Sequence, residues 1–212
     1  MGGEARRGGA RRHMTGASID GAGPALGAFL RRAQCIAEEG IIWQGGGRFP
    51  MSWFLCRAYA CDEPPSLDLV TSVRCIVRRG DDVLVVARTT EDRDEGHIMP
   101  GGRREPGEPI EQTVRREVLE ETGWTVGELR PLGAIVFRHV LPRPPDYPFP
   151  YPVFAQIVFT ADAVAHHAEA MQPDELDGEA IFVPVERANE MRISAWQRAF
   201  LALTVTNRDG RS

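Results

Sequence analysis

The hydrophobic and polar positions of the chain change their period along its length, and each change predicts a different kind of element. The stretch "PALGAFLRRAQCIAEEG" begins at Pro24, spaces its apolar residues at helical intervals and closes at Gly40, which predicts an amphipathic helix. From Leu67 the pattern changes to β-branched runs. "LVTSVRCIVRR", the turn "GDD" and "VLVVAR" together predict a β-hairpin.

The second half of the chain alternates helical and strand patterns. A helix is predicted from Pro109, a favoured first-turn residue, to Gly123, a favoured C-terminal residue. Strands are predicted at about 131–139, 153–161 and 180–185, and a final helix at roughly 186–204. This mixture predicts a layered α/β or α+β domain.

Composition shifts predict how the chain is divided. Residues 1–23 are rich in Gly and Arg and predict a disordered tail, with Met14 as an alternative start. Residues 24–66 are predicted to form a small, mainly helical, aromatic appendage that ends at "DEPPS". Residues 67–205 would be the main domain and 206–212 a short tail. Without an apolar segment near the start, a cytoplasmic location is the expectation.

Composition and charge narrow the classes of ligand. Of the 212 residues 42% are hydrophobic and 26% charged, and no apolar run approaches the roughly 18 residues that a membrane span needs. A net charge of -5 argues against non-specific binding to a nucleic-acid backbone, so neither a membrane nor a nucleic-acid partner is expected. The spacing of Cys35, Cys56, Cys61 and Cys75 favours reduced thiols over a zinc site.

The predicted helix after Pro109 carries an unusual acidic face. Like charges three and four residues apart repel each other on a helix. With Ile110 set to zero on a helical wheel, Val114 lies at about 40°, Glu117 at about -20°, Glu121 at about 20° and Glu120 at about -80°. The apolar stripe therefore continues into carboxylates, and buried carboxylates need a partner, hydrogen bonds or a cation.

Two explanations of this face stand beside each other. The helix could be exposed, with its glutamates neutralised by Arg115 and Arg116. Alternatively the carboxylates could form a metal site, because a Gly-rich loop precedes the helix and Glu108 in that loop is placed to reach an arginine of the helix. Oxygen-rich clusters suit Mg²⁺ or Mn²⁺, and these ions suit phosphate chemistry.

The residues from Gly102 to Trp124 match a spaced pattern. They read Gly, five residues, Glu108, seven residues, Arg116-Glu117-Val118, one residue, Glu120-Glu121, one residue, Gly123. This pattern resembles the signature box of the Nudix hydrolases. Trp124 departs from the smaller aliphatic residue that is usual there, and we expect it to alter packing rather than metal binding. The resemblance implies an α/β/α sandwich with a mixed sheet over residues 67–205.

The resemblance also implies roles for the box residues. Glu117, Glu120 and Glu121 would bind Mg²⁺, with Mn²⁺ as an alternative, and Arg116 would pair with a box carboxylate and orient it. Glu117, Glu120 and Arg116 would then be catalytic. Gly102 and Gly123 would provide backbone turns at the two ends of the helix. For a proton acceptor outside the box, Glu179 is preferred over Glu175, and a solvated loop charge is the alternative.

Candidate substrate-binding residues are less specific. Arg103 and Arg104 could bind a phosphate, or could be exposed charges paired with Glu105. Arg138 and His139 could meet a base or a phosphate, although a strand leaving the core explains them as well. The loop "DYPFPYP" predicts a rigid surface loop able to cover the site.

The function implied by the resemblance is Mg²⁺-dependent pyrophosphohydrolase activity. The substrate would be a nucleoside diphosphate linked to another moiety, such as a nucleotide sugar, a dinucleotide or a nucleoside triphosphate, and the enzyme a monomer or homodimer. Two alternatives remain at this point. One is a non-catalytic module of the same fold that senses nucleotides, and the other is an isomerase of an isoprenoid diphosphate.

Overall fold

The computed structural model describes residues 23–43, 52–88, 96–172 and 177–209. Residues 1–22 of the predicted tail, residues 173–176 with the candidate Glu175, and residues 210–212 lie outside these ranges. None of the described helices is long and apolar enough to span a membrane. All four cysteines are free thiols, and Cys56 and Cys75 are buried.

The described residues form four α-helices and nine β-strands. The helices are α1 (Pro24–Arg32), α2 (Ile110–Thr122), α3 (Val185–Glu190) and α4 (Ala195–Asp209). The strands before α2 are β1 (Gln34–Trp43), β2 (Ser52–Ala60), β3 (Val70–Arg79), β4 (Asp82–Arg88) and β5 (Gly96–His97). Those after it are β6 (Trp124–Val126), β7 (Arg130–His139), β8 (Val153–His166) and β9 (Asp177–Pro184).

The strands form a mixed sheet in the order β1-β2-β7-β8-β3-β4-β5, with β9 paired to β4 and β6 paired to β8. Strands β3 and β8 run parallel to each other, and the remaining described pairs are antiparallel. Helices cover both faces: α2 packs through Val114 and Val118 on one face, and α4 packs through Phe200 and Leu201 on the other. The predicted α/β/α sandwich with a mixed sheet is confirmed.

The predicted hairpin and the predicted helix of the acidic face are both present. The hairpin is β3 and β4, which pair at Arg78–Val83 and Arg79–Asp82. Helix α2 has Pro109 at its N-cap and ends at Gly123, which adopts the left-handed conformation with φ +71°. The strand patterns at 131–139, 153–161 and 180–185 correspond to β7, β8 and β9, of which β8 extends to His166.

The prediction of a mainly helical N-terminal appendage is wrong. Helix α1 ends at Arg32 rather than near Gly40, and residues 34–43 and 52–60 form strands. Strand β2 pairs with β7, so both strands extend the main sheet. The cross-strand ion pair of Glu38 with Arg57, at 2.8 Å, and the packing of Ile36 on the core favour the strand over the helical pattern.

The predicted final helix is divided into α3 and α4. The break lies at residues 191–194, where two side chains accept hydrogen bonds from backbone amides in the first turn of α4. The Ser194 hydroxyl accepts a hydrogen bond from the Gln197 amide at 3.3 Å, and the Glu39 carboxylate of β1 accepts one from the Ala195 amide at 3.2 Å. A helix N-terminus favours such acceptors, and the pattern of apolar residues alone does not reveal them.

The loop before α2 lies along the open edge of β3. The Cys75 amide donates to the Pro100 carbonyl at 2.9 Å, the Val73 amide donates to the Gly102 carbonyl at 3.0 Å, and the Arg104 amide donates to the Thr71 carbonyl at 3.3 Å. The Ile98 amide at the start of this loop donates to the Gln197 side chain of α4 at 3.1 Å. The loop is thus fixed to the sheet at the place where α2 presents its carboxylates.

Candidate active site

The acidic face of α2 lies beside its buried apolar face. Ile110, Val114 and Val118 are buried in the core, and the Glu117 side chain next to them is only 13% exposed. The Glu120 side chain is more open, at 32%, and Glu121 is partly buried. The wheel prediction that the apolar stripe continues into carboxylates therefore agrees with the burial of Glu117.

Arg116 is the centre of the charge network. Its Nε and Nη2 atoms donate to the two oxygens of Glu108 at 2.9 and 3.0 Å. Its Nη1 atom donates to Glu117 Oε1 at 2.8 Å and to Glu120 Oε2 at 3.1 Å. The predicted contact of Glu108 with an arginine of the helix, and the predicted pairing of Arg116 with a box carboxylate, are confirmed.

Glu108 is a buried carboxylate with several donors. Besides Arg116, the Thr113 hydroxyl donates to Glu108 Oε2 at 2.9 Å and the Glu105 amide donates to the same oxygen at 3.1 Å. The hydrogen bonds from Arg116 lower the pKa of Glu108 to about 2, against the opposing effect of burial. Glu108 is therefore ionised at neutral pH and holds Arg116 in a fixed orientation.

Glu117 lies against the backbone of the preceding loop. A Cβ atom on Gly102 would be 2.2 Å from Glu117 Oε2, so glycine is required for this close approach. The expectation that Gly102 forms a turn at the helix end is wrong, since Gly102 pairs with β3, and the turn at φ +79° belongs to Gly107. Burial raises the pKa of Glu117, and the Glu120 charge acts in the same direction.

Glu121 is held by the same loop. The Gly101 amide donates to Glu121 Oε2 at 3.0 Å, and the Gly101 carbonyl accepts from Arg74 Nη1 at 2.6 Å. Gly101 has φ +146°, and a Cβ there would lie 2.3 Å from the Val73 carbonyl oxygen. Sequence reasoning missed Arg74, although an arginine between Val73 and the apolar run from Cys75 to Val77 was a visible signal.

The oxygen donors of α2 fit a hard divalent cation in chemical type. Glu117, Glu120 and Glu121 supply only carboxylate oxygens, which Mg²⁺ and Mn²⁺ prefer. Repulsion between Glu117 and Glu120, which raises the pKa of Glu117, is also what a cation would relieve. As they stand, no three acidic, histidine or cysteine side chains of the described residues are grouped closely enough to hold a metal ion.

Arg103 connects the site to the predicted covering loop. Its guanidinium lies 4.7 Å from the centre of the Phe149 ring, and its backbone carbonyl accepts from Arg116 Nη2 at 3.1 Å. In the same loop, the Tyr147 hydroxyl lies 3.0 Å from His139 Nε2. His139 is only 4% exposed and packs edge-on against Phe54 at 4.5 Å, so the loop residue Tyr147 is bound to a buried side chain of the sheet.

Of the other candidate residues, Arg104 contacts the backbone of Glu108, whereas Arg138 and Glu179 point in other directions. Arg104 Nε donates to the Glu108 carbonyl at 2.6 Å, and Arg104 lines a separate cavity of about 420 Å³ with Ile110 and Phe159. Arg138 precedes His139 on β7 and therefore points to the opposite face of the sheet. Glu179 is exposed, and by the same alternation it points away from Ala180, which packs near α2.

Comparisons with known proteins agree with this architecture. Residues 68–204, more than half of the chain, match the NUDIX domain. The NAD-capped RNA hydrolase NudC of Klebsiella pneumoniae subsp. pneumoniae is 36% identical over 84 residues, which are 40% of this chain and 28% of that protein. The putative 8-oxo-dGTP diphosphatase YtkD of Bacillus subtilis is 42% identical over 72 residues, 34% of this chain and 43% of that protein.

The matched stretches span less than half the length of these curated relatives. Among solved structures, the pyrophosphohydrolase BsRppH of Bacillus subtilis aligns with a TM-score of 0.53 at 20% identity, covering 81% of this chain and 98% of that one. At this identity the likeness concerns the fold alone. The extent of the domain match and the network around Arg116 lead to one conclusion: the chain belongs to the NUDIX domain family.

Proposed function

We propose that this chain is a Mg²⁺-dependent pyrophosphohydrolase. It would cleave the phosphoanhydride bond of a nucleoside diphosphate linked to another moiety and release a phosphate monoester. The observation that carries this proposal is the Glu117 carboxylate, which is 13% exposed, crowded by Glu120 and pressed against Gly102. Arg116 pairs with Oε1 of this carboxylate at 2.8 Å, and a bound divalent cation would offset the remaining cost of burial and the repulsion from Glu120.

The residues have separate tasks in this proposal. Glu117, Glu120 and Glu121 would hold the divalent ion, which when bound neutralises phosphate charge and makes a water molecule more acidic. Arg116, fixed by Glu108, keeps Glu117 and Glu120 in place. The Gly101 amide orients Glu121. The proton acceptor remains a prediction: Glu179, although exposed and on the other face of β9, is the candidate outside the box.

The aromatic loop gives the site a second kind of surface. Arg103 follows Gly102, whose Cα lies against Glu117, and Arg103 covers the Phe149 ring. Because consecutive Cα atoms are about 3.8 Å apart, the Arg103 Cα lies within roughly 8 Å of the Glu117 carboxylate. Arg103 and Phe149 would contact the nucleoside part of the substrate. His139 would act through Tyr147, which it holds by a hydrogen bond at 3.0 Å.

The metal site is tested by the matched pair Glu120→Gln and Glu111→Gln. Both residues lie on α2, but Glu111 is in the exposed first turn. The wild type and both variants are incubated with nucleotide sugars, dinucleotides and nucleoside triphosphates, in the presence of Mg²⁺ or of a chelator. The products are identified by mass spectrometry. We expect Glu120→Gln to lose at least about 100-fold in kcat/KM, because removal of a direct ligand should cost no less than the roughly 10–100-fold seen when a residue behind a ligand is changed, and Glu111→Gln to keep its activity.

The same screen separates the alternatives. Full activity of Glu120→Gln on every substrate of the wild type would show that the metal site is assigned wrongly. Nucleotide binding by the wild type without any product, at any Mg²⁺ concentration, would favour a sensing module. A product of unchanged mass from an isoprenoid diphosphate would favour an isomerase.

A further inference from the structure

We infer that Arg74, in the middle of β3 and outside the Gly102–Trp124 box, is a positioning residue that sets the Gly101 peptide against Glu121 through a hydrogen-bond chain beginning at Gln156. The consequence for metal binding rests on the proposed function, whereas the positioning of the peptide does not. The hydrogen bond between Gly101 and the box joins the Gly101 amide to Glu121, whereas the Gly101 carbonyl is bound by Arg74, which lies outside the box.

The chain runs through three hydrogen bonds. Gln156 Oε1 accepts from Arg74 Nε at 3.4 Å, and Arg74 Nη1 donates to the Gly101 carbonyl at 2.6 Å. The amide of the same glycine then donates to Glu121 Oε2 at 3.0 Å. Gly101 is therefore held on both sides, by a cation at its carbonyl and by an anion at its amide.

The sheet places Arg74 and Gln156 on one face. In the parallel pairing of β3 with β8, Ser72 lies opposite Gln156 and Arg74 opposite Val158, so Gln156 is the diagonal neighbour of Arg74. Gln156 is 6% exposed, and a buried amide is retained where it is hydrogen-bonded. The forked guanidinium can bond to the amide oxygen and to the loop carbonyl at once, which a lysine ammonium cannot reproduce with the same geometry.

The backbone at Gly101 needs this support. Its φ of +146° is a conformation that other residues rarely adopt, and a Cβ would lie 2.3 Å from the Val73 carbonyl oxygen. A glycine also has more freedom to leave such a conformation than any other residue. Without Arg74, the Gly101 carbonyl loses its cationic donor, and the Gly101–Gly102 peptide can rotate. Because the φ and ψ angles of Gly101 are unrestricted by a side chain, the adjoining Pro100–Gly101 peptide can then move as well, which weakens the hydrogen bond from its amide to Glu121. Gly102, against Glu117, would shift with it.

The first test measures the peptide itself, in the full chain without metal. Amide hydrogen exchange is followed by NMR in wild type, Arg74→Met, Arg74→Lys and the control Arg130→Met, which removes a partly exposed arginine paired with Asp162 at 3.0 Å. We expect Arg74→Met to speed exchange at Gly101 at least tenfold while exchange at Val118 inside α2 stays unchanged. Arg74→Lys should restore part of the protection, and Arg130→Met should have no effect.

The second test measures binding of Mn²⁺ by electron paramagnetic resonance. Arg74→Met is expected to weaken Mn²⁺ about tenfold, and Gln156→Leu about threefold. The double variant should bind no more weakly than Arg74→Met, because Gln156 acts only through Arg74.

Unchanged exchange at Gly101 in both Arg74 variants, or additive losses in the double variant, would overturn the inference. If Arg74→Met fails to fold, Arg74→Lys and Gln156→Leu decide the matter by the same measurements. If the wild type binds no Mn²⁺, the proposed metal site fails, and the exchange rates still decide the role of Arg74.

Discussion

The Arg116 guanidinium meets the Glu108 carboxylate through two hydrogen bonds, Nε to Oε1 at 2.9 Å and Nη2 to Oε2 at 3.0 Å. This paired contact fixes the plane of the guanidinium and leaves Nη1 directed at Glu117 and Glu120. The loop thus determines the orientation of the cation, and the cation determines where the two helix carboxylates lie. Glu108 acts on the candidate metal ligands without contacting them.

Replacement of Glu108 by Gln should lower stability in a pH-dependent way. The folded-state pKa of about 2 lies below the ordinary value of 4.5, so this carboxylate stabilises the fold fully above about pH 4.5, and the contribution is lost as the pH falls through about 2. We expect Glu108→Gln to reduce the free energy of unfolding by about 2 kcal/mol at neutral pH. Urea denaturation between pH 2 and 7 measures this difference.

The control for this prediction is Glu105→Gln. Glu105 is exposed and contributes its backbone amide, not its carboxylate, to Glu108. Its variant should unfold like the wild type at each pH. A difference between Glu108→Gln and wild type that stays constant from neutral pH to pH 2 would contradict the assigned role of the Glu108 charge.

Gly102→Ala should damage the site more than the fold. The new Cβ would lie 2.2 Å from Glu117 Oε2, and because a side-chain end yields more easily than backbone, the carboxylate moves away. A displacement of about 1 Å in a catalytic group can cost on the order of 100-fold in rate. We expect kcat/KM to fall by at least about tenfold while the free energy of unfolding changes by less than about 1 kcal/mol.

Gly40→Ala is the matched control for Gly102→Ala. Gly40 lies in β1, and no atom is within 4 Å of the position that its Cβ would take. Activity and stability should both stay near the wild-type values. Normal activity in Gly102→Ala would mean that Glu117 does not need its present position.

The parts of the site that sequence could predict are those set by local spacing. Arg116, Glu117 and Glu120 lie within five residues of one helix, and Glu108 lies two residues before that helix begins. Their contacts are therefore determined by short spacings along the sequence. Arg74 and Gln156 are separated by 82 positions in the sequence, and their contact exists because β3 and β8 are parallel neighbours. A single sequence without known strand pairing does not contain that information.

The error in the N-terminal region has a similar cause. The run after Pro24 has helical spacing up to Arg32, and Ala, Gln and Glu beyond it also favour a helix. Pairing of β1 with β2 and of β2 with β7 outweighs that local preference. It provides hydrogen-bond partners for the backbone groups along the edge of β7, and it buries Phe54 and Tyr59. The fold class survived the error, since the remaining strands and helices already predicted a layered sheet.

Trp124→Leu should affect packing rather than metal binding. The indole meets the Phe182 ring edge-to-face at 5.2 Å and lies 5.0 Å from the His166 ring, while the Arg79 guanidinium lies 5.7 Å from it. Loss of these contacts should reduce the free energy of unfolding by about 2 kcal/mol. The control Val164→Ala, at a position that is 67% exposed on β8, should change it by less than about 0.5 kcal/mol. Weaker Mn²⁺ binding by folded Trp124→Leu would contradict the prediction.

Phe149→Ala should weaken the recognition of a base more than the recognition of phosphates. Phe149 is partly exposed and supports Arg103 at 4.7 Å, and stacking of a base on an aromatic ring contributes about 1–3 kcal/mol. We expect KM for a nucleotide sugar to rise about tenfold while kcat changes little. For phosphoribosyl diphosphate, which has no base, KM should stay the same. Steady-state kinetics on the two substrates gives the comparison.

The control for Phe149→Ala is Leu141→Ala, which removes an exposed apolar side chain at the start of the same loop. It should leave KM for both substrates unchanged, because the described ring contact of Arg103 is with Phe149 and not with Leu141. An equal rise of KM for both substrates in Phe149→Ala would mean that Phe149 acts by holding Arg103, and that Arg103 binds the phosphates. The KM ratio of the two substrates therefore distinguishes an aromatic platform for the base from a support for the Arg103 cation.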